Sequence, residues 1–198
     1  MPPDFSAFFI TAVGMAYLLG SIPFGLLLTR IAGMGDIRKI GSGNIGATNV
    51  LRTGNKRLAA LTLFLDGAKG AAAVLIAQIF FPGCETYAAL AAMLGHLFPV
   101  WLRGRGGKGV ATAIGVLAAL SLPVGITICA VWLLVAWLSR YSSLAALVAI
   151  GLSPLYALAF GRNELIWLTI VIVMLVFAKH RANIERLMKG RESKIGKK

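Results

Sequence analysis

Two glycine-rich polar stretches interrupt a largely apolar chain, and both are built from residue types that bind anions. The first reads Gly41-Ser42-Gly43-Asn44-Ile45-Gly46-Ala47-Thr48-Asn49-Val50-Leu51-Arg52. Glycines let successive backbone N–H groups converge on one point and form an anion nest. Ser42, Asn44, Thr48 and Asn49 add neutral polar side chains, and Arg52, Arg38 and Lys39 add charge of the matching sign. The second runs from Gly95-His96 through Arg103-Gly104-Arg105-Gly106-Gly107-Lys108-Gly109 into an apolar segment that starts near Val110 and carries Thr112. A glycine loop ahead of a helix aims unsatisfied N–H groups at whatever lies before the first turn. Each stretch reads as a seat for phosphate.

Neither loop fits a nucleotide-binding pattern. No glycine stands five residues before Gly107, and Gly109 occupies the place of the Ser or Thr that would hold magnesium in a P-loop. Gly41, Gly43 and Gly46 spell G-x-G-x-x-G, with Asp66 further along. No strand precedes that loop, however, and Asp66 lies in an apolar helix, so a dinucleotide fold is excluded. The run Asp66-Gly67-Ala68-Lys69-Gly70 is similar to a motif of alcohol phosphotransferases that use CDP-linked lipids. That chemistry needs several aspartates around metal, and Asp4, Asp36 and Asp66 are the only ones here. No metal and no cofactor is expected. Asp66 and Lys69 stand at i, i+3 and can neutralise each other, as charges within a membrane helix must.

A third polar segment reads Lys179-His180-Arg181-Ala182-Asn183-Ile184-Glu185-Arg186-Leu187. If the last apolar helix continues through it, His180 and Asn183 share a face and Arg181 lies one turn from Glu185. Histidine is the natural proton acceptor near neutral pH. Ser142 and Ser143, after Arg140-Tyr141, form the remaining short turn, and alone they signal only a helix N-cap.

The elements that position these residues are membrane helices. Hydrophobic residues make up 58% of the chain and charged ones 14%. Apolar runs at residues 7–29, 58–81, 86–102, 110–121, 123–139, 143–160 and 164–181 approach the roughly 20 residues that a crossing helix needs, the third and fourth being short. Seven crossings sort the connections by charge. Residues 30–57, 103–109, Arg140 and the tail from Lys179 to Lys198 fall on one side, and Asp4, Glu85, Arg162 and Glu164 on the other. The positive side is cytoplasmic, which predicts an outside N-terminus and a cytoplasmic C-terminus. The net charge of +13 therefore reflects topology and contact with anionic lipid, chiefly at Lys189 to Lys198, and no nucleic-acid partner is expected. Cys84 and Cys129 lie at different depths, so no disulfide is expected. Residues 1–6 lack a basic n-region, so no cleavable signal peptide is expected either. No linker or separate soluble domain is visible, and residues 1–198 read as a single integral-membrane domain.

Taken together, the segments resemble the signature of the bacterial acyl-phosphate-dependent glycerol-3-phosphate acyltransferases, the PlsY family. The motifs that carry the resemblance are Gly-Ser-Gly-Asn-x-Gly-Ala-Thr-Asn at 41–49 with Arg52, and Gly-His-x-Phe-Pro at 95–99 with Gly-Gly-Lys-Gly-Val-Ala-Thr at 106–112. The third is His-Arg-x-Asn-x-x-Arg-Leu at 180–187. The resemblance implies transfer of a fatty acyl group from acyl phosphate to the 1-hydroxyl of glycerol 3-phosphate, giving 1-acylglycerol 3-phosphate and phosphate. It implies a bacterial inner-membrane protein, in contact with membrane lipid, whose active site faces the cytoplasm. His180 and Asn183 are the expected catalytic residues. Ser42, Asn49, Arg52, His96, Gly106, Gly107, Lys108, Gly109, Thr112 and Ser143 are expected to bind substrate. A small organophosphate transporter is the competing reading; the binding signals all on one face and the scarcity of polar residues at mid-membrane weigh against it.

Overall fold

The computed structural model of the protein describes residues 5–196. Asp4, Lys197 and Lys198, assigned above to opposite sides of the membrane, lie outside the described residues. Among those residues every regular element is a helix. They form two compact units, the first ending at Leu120 and the second beginning at Ser121.

In the first unit, α1 (Phe5–Gly20) gives way to α2 (Phe24–Ile31) at Pro23, which lacks the N–H needed to continue a helix. The short α3 (Ala47–Leu51) follows the first glycine loop, and the long α4 (Lys56–Phe80) begins where the Asn55 side chain accepts the Leu58 N–H at 3.0 Å. Next come α5 (Glu85–Leu97) and α6 (Val110–Leu120). α4 packs on both α5 and α6, and α1 packs on α5. The contacts are backbone to backbone. A Cβ on Gly115 would overlap the Gly67 carbonyl, one on Gly20 the Ala92 carbonyl, and one on Gly95 the Tyr17 carbonyl. In the second unit α7 (Leu122–Ser139), α8 (Ser142–Gly151), α9 (Ser153–Ala159), α10 (Ile166–Lys179) and α11 (Arg181–Met188) follow. α7 packs on α8, and α9 on α10.

The surface is inverted relative to a soluble protein. Trp137 is 77% exposed and Ile79 71% exposed, and Phe64, Ile10 and Leu138 also point outward. Such a surface suits lipid. Inside, the buried hydroxyls of Thr29, Thr62 and Thr169 return to carbonyls of their own helices at 2.8 Å, so each is satisfied within the helix that carries it.

The described residues hold four helical stretches long and apolar enough to cross a membrane: Ser6–Ile31, Lys56–Phe80, Leu122–Ser139 and Ser142–Ala159. A fifth arises if Asn163–Lys179 and Arg181–Met188, bent by 65°, count as one. These match five of the seven segments read from the sequence. The other two are the runs read as short: α6 ends within one residue of its expected bound, and α5 ends early. α5 stops at Leu97 instead of 102, because the residue ahead of Pro99 is pushed out of the helical region. With 13 and 11 residues, α5 and α6 span only about 20 Å and about 17 Å at 1.5 Å per residue.

The Gly67–Gly115 contact makes a direct test. Gly115→Ala forces α4 and α6 apart, and overpacking of this kind costs about 1–3 kcal/mol. Its melting temperature in detergent should fall. Gly14→Ala, where a Cβ meets nothing within 4 Å, should leave the melting temperature unchanged or raise it slightly. Equal melting of the two variants would show that α4 and α6 do not meet at these glycines.

Candidate active site

Asn49 organises the first loop. Its buried amide nitrogen donates to the carbonyls of Ile37 at 3.0 Å, Ile40 at 2.9 Å and Asn44 at 2.8 Å, drawing residues 37–44 round it. Its oxygen accepts the Ser42 N–H at 3.1 Å, the Ser42 hydroxyl at 3.4 Å and the Arg52 guanidinium at 3.3 Å. One side-chain oxygen thus gathers Ser42 and Arg52 at the exposed lip of the loop. Gly41 (φ 56°) and Gly43 (φ 69°) take the left-handed turn that this path requires. Arg38 is occupied differently from the sequence reading: its guanidinium pairs with Asp36, and those hydrogen bonds hold the Asp36 carboxyl well below the usual carboxylate range.

The second loop lies across the C-terminal end of α5. The N–H of Gly107 bonds the His96 carbonyl at 3.0 Å, and that of Gly106 the Leu97 carbonyl at 3.3 Å. These two donors therefore cap the C-terminal end of α5. Gly107 is required for a different reason: a Cβ there would overlap Nε2 of His96, whose buried ring lies directly beneath. Gly109 takes φ 84°, turning the chain into α6, and a Cβ on it would come within 2.8 Å of Met93. Lys108 stands half-buried between the two. Thr112, fully buried, donates its hydroxyl to the Asp66 carbonyl at 3.0 Å, tying the first turn of α6 to α4.

Both loops rest on one small apolar core. Leu26, Ile37, Ile45, Val50 and Ala59 are buried together, and Leu102, from the foot of the second loop, packs against them beside Ile40, Leu51 and Leu58. The two polar loops thereby share one apolar base.

In the second unit the helix does not run on through the third motif. α10 stops at Lys179, and His180 stands at the bend before α11. His180 Nδ1 lies 2.8 Å from the Val176 carbonyl. That carbonyl can only accept, so the proton sits on Nδ1 and the ring's basic lone pair on Nε2. Glu185 pairs with Lys189, not with Arg181. The residue that sequence reasoning missed is Glu192. Its buried carboxylate accepts from the Ser143 hydroxyl at 2.8 Å, the Asn183 amide at 2.6 Å and the Arg186 guanidinium at 2.6 Å. The available signal is the single acidic residue between Lys189 and Lys198, a stretch whose charge reads as topology and lipid contact. Burial pushes the Glu192 carboxyl up, but the three donors outweigh it and leave it below the usual range. Residues 193–196 continue as a strap: the Ile195 N–H bonds the Arg140 carbonyl at 2.7 Å, and Arg140 bonds back to the Ile195 carbonyl at 3.2 Å.

The structure thus gathers Ser42, Asn49 and Arg52 in one cluster, and His96, Gly106, Gly107, Lys108, Gly109 and Thr112 in a neighbouring one. Ser143 and Asn183 meet on Glu192, with His180 at the start of the same helix as Asn183. Among the described residues no group of His, Cys, Asp and Glu is arranged to hold a metal ion.

Long apolar helices that carry two glycine loops on a shared core define an all-helical integral-membrane protein. The comparisons with known proteins agree. Residues 10–190 match the family model described as glycerol-3-phosphate acyltransferase, and the chain belongs to that family. The glycerol-3-phosphate acyltransferase of Mesorhizobium japonicum is 59% identical over 189 residues, covering 96% of this chain and 97% of the relative. That of Brucella ovis is 55% identical over 197 residues, covering 100% and 98%. The crystal structure of PlsY, an integral membrane glycerol 3-phosphate acyltransferase, in its glycerol 3-phosphate form is similar with a TM-score of 0.90 and 42% identity. It covers 95% of this chain and 96% of that one. The lysophosphatidic acid form gives a TM-score of 0.87 at 41% identity, with 95% of each chain covered.

Glu192 yields a pH prediction. Its carboxyl is more acidic folded than unfolded, so its contribution to stability is complete above the unfolded value, about 4.3. It is lost as pH falls through the lower folded value. The melting temperature of Glu192→Gln should therefore lie below that of the natural protein at pH 7, and the gap should narrow below pH 4. A gap constant with pH would show that the carboxylate charge does not matter.

Proposed function

We propose that this membrane glycerol-3-phosphate acyltransferase, acting as a single domain of seven membrane crossings, takes its acyl group from acyl phosphate at the cytoplasmic face of a bacterial inner membrane. The observation that carries the reading is the pair of glycine loops fixed on one apolar core, because the reaction brings together two substrates that each bear a phosphate. Ser42 and Arg52, gathered by Asn49, seat the phosphate of glycerol 3-phosphate. The second loop, with Lys108 and the unsatisfied N–H groups of the first turn of α6, seats the phosphate of the donor. The glycerol 1-hydroxyl attacks the acyl carbon. A carbon–oxygen bond forms to the glycerol, the bond from acyl carbon to phosphate oxygen breaks, and phosphate leaves with that electron pair. The products are 1-acylglycerol 3-phosphate and phosphate.

An acyl phosphate is already activated, so neither a serine nucleophile nor a metal is called for. Holding two like-charged molecules in reacting geometry and neutralising their charge supplies the rate. His180 is the proton acceptor in this reading, through the lone pair on Nε2, and Asn183 orients the substrate. The positive-inside charge pattern supports the cytoplasmic placement.

The direct test gives the purified protein in vesicles each donor in turn. Acyl phosphate should support transfer to glycerol 3-phosphate, whereas acyl-CoA and acyl carrier protein should not, since the glycine loops suit a bare phosphate. Efficient transfer from acyl-CoA without acyl phosphate would overturn the reading. Lys108→Ala removes a charge-assisted hydrogen bond, about 1.5–3 kcal/mol, or roughly 10- to 150-fold in kcat/KM. An unchanged value with both substrates would remove Lys108 from the site. His180→Gln should lose the acidic limb of the pH–kcat profile and about 10²- to 10⁴-fold in rate. If the limb persists with a small loss of rate, a phosphate oxygen of the bound substrate takes the proton instead.

A further inference from the structure

We propose that Glu192 is a positioning residue for acyl transfer: its carboxylate fixes the side chains of Ser143 and Asn183, and the tail that carries it is part of the working site. The proposal rests on the reading above that these two side chains serve the reaction. Ser143 stands in the first turn of α8 and Asn183 in the first turn of α11, two helices well separated in sequence. Glu192, beyond the end of α11, brings both to one point.

The two side chains meet a single oxygen. Glu192 Oε1 accepts the Ser143 hydroxyl at 2.8 Å and the Asn183 amide at 2.6 Å, while Oε2 takes the Arg186 guanidinium at 2.6 Å. An ionised carboxylate only accepts, and a serine hydroxyl has one proton to give. The contact therefore sets the direction of the Ser143 O–H and turns the nitrogen of the Asn183 amide toward Glu192. Ser143, Asn183 and the Glu192 side chain are each 5–6% exposed, so bulk water does not take the place of the carboxylate. Pairing with Arg186 needs only Oε2, and lipid contact by a basic tail is weakened by an acid. Neither accounts for Oε1.

The carboxylate is itself held from behind. The residues after it clasp the corner between α7 and α8, immediately ahead of Ser143. The Ile195 N–H donates to the Arg140 carbonyl at 2.7 Å, and the Arg140 guanidinium returns to the Ile195 carbonyl at 3.2 Å. The Lys194 ammonium lies 5.5 Å from the centroid of the Tyr141 ring. Tyr141, at the N-cap of α8, makes no side-chain cap, and the tail braces that turn instead.

The experiment measures kcat/KM with acyl phosphate and glycerol 3-phosphate, using full-length protein in vesicles and variants whose melting shows them folded at the assay temperature. Ser143→Ala and Asn183→Ala should each lower it about tenfold or more. If both leave it unchanged, the reading that these side chains serve the reaction falls, and the proposal falls with it. Glu192→Ala should lower it about 10- to 100-fold, the effect of site groups displaced by about 1 Å. Added to Ser143→Ala with Asn183→Ala, it should cost at most about twofold more, because the side chains it positions are gone. Glu192→Gln keeps an oxygen for Ser143 and Asn183 and turns its NH2 toward Arg186, whose 40% exposed side chain can swing into water. That variant should keep most of the activity. Glu185→Gln, which breaks the exposed pair with Lys189, should change nothing. Glu192→Ala with unchanged activity, or with raised activity as expected of a carboxylate that blocks the site, overturns the proposal alone. So does a loss that adds in full to those of Ser143→Ala and Asn183→Ala, or a Glu192→Gln as impaired as Glu192→Ala. If Glu192→Ala does not fold, Glu192→Asp decides: it keeps the charge and loses the reach, and unchanged activity overturns the proposal. Failure of the natural protein to use acyl phosphate would instead overturn the donor reading, and the same variants, assayed with the donor it does use, decide for or against Glu192.

Discussion

The first unit depends on helix backbones approaching closely enough for one carbonyl to touch the next helix's Cα. In lipid there is no hydrophobic force to press helices together, because hydrocarbon chains are as apolar as leucine. Close packing takes that role, and small residues allow it. Gly115 against Gly67 brings α6 so near α4 that Thr112 reaches the Asp66 carbonyl. Gly95 against Tyr17 and Gly20 against Ala92 do the same for α5 and α1. Widen any of these contacts by a methyl group and the second glycine loop, carried between α5 and α6, loses its seating.

Polar chemistry at the edge of an apolar scaffold needs a rigid base, and here it is small. Leu26, Ile37, Ile45, Val50 and Ala59 form it, with Leu102 joining from the other loop. Neither loop carries regular structure long enough to be rigid by itself. Asn49 stiffens the first from within by satisfying three carbonyls, and His96 stiffens the second from below. The division of labour is the same in both: a buried polar side chain lies under the loop backbone.

Much of this was legible in the sequence, and the failures have physical causes. Long apolar runs translate into crossing helices because length and hydropathy act locally, so Lys56–Phe80 and Leu122–Ser139 fell where expected. The sequence places the glycines at 106, 107 and 109 in a loop ahead of a helix, but it does not say what their N–H groups meet. Which carbonyl a given N–H meets is decided by tertiary packing, and the C-terminal end of α5 captured the donors of Gly106 and Gly107. The bend at His180 was hidden because nothing in Lys179-His180-Arg181 is a helix breaker. Glu192 was hidden because its partners, Ser143 and Arg186, are remote or unremarkable in sequence, and charge counting treats the tail as a sum.

The Glu192 contact also bears on how the protein is made. Ser143 stands 49 residues ahead of the carboxylate that fixes its hydroxyl, and chains are synthesised and folded from the N-terminal side. Every apolar helix among the described residues has therefore been translated before Ser143, Asn183 and Arg186 acquire their common acceptor. The cluster in a nascent chain stays unfinished until Glu192 has left the ribosome.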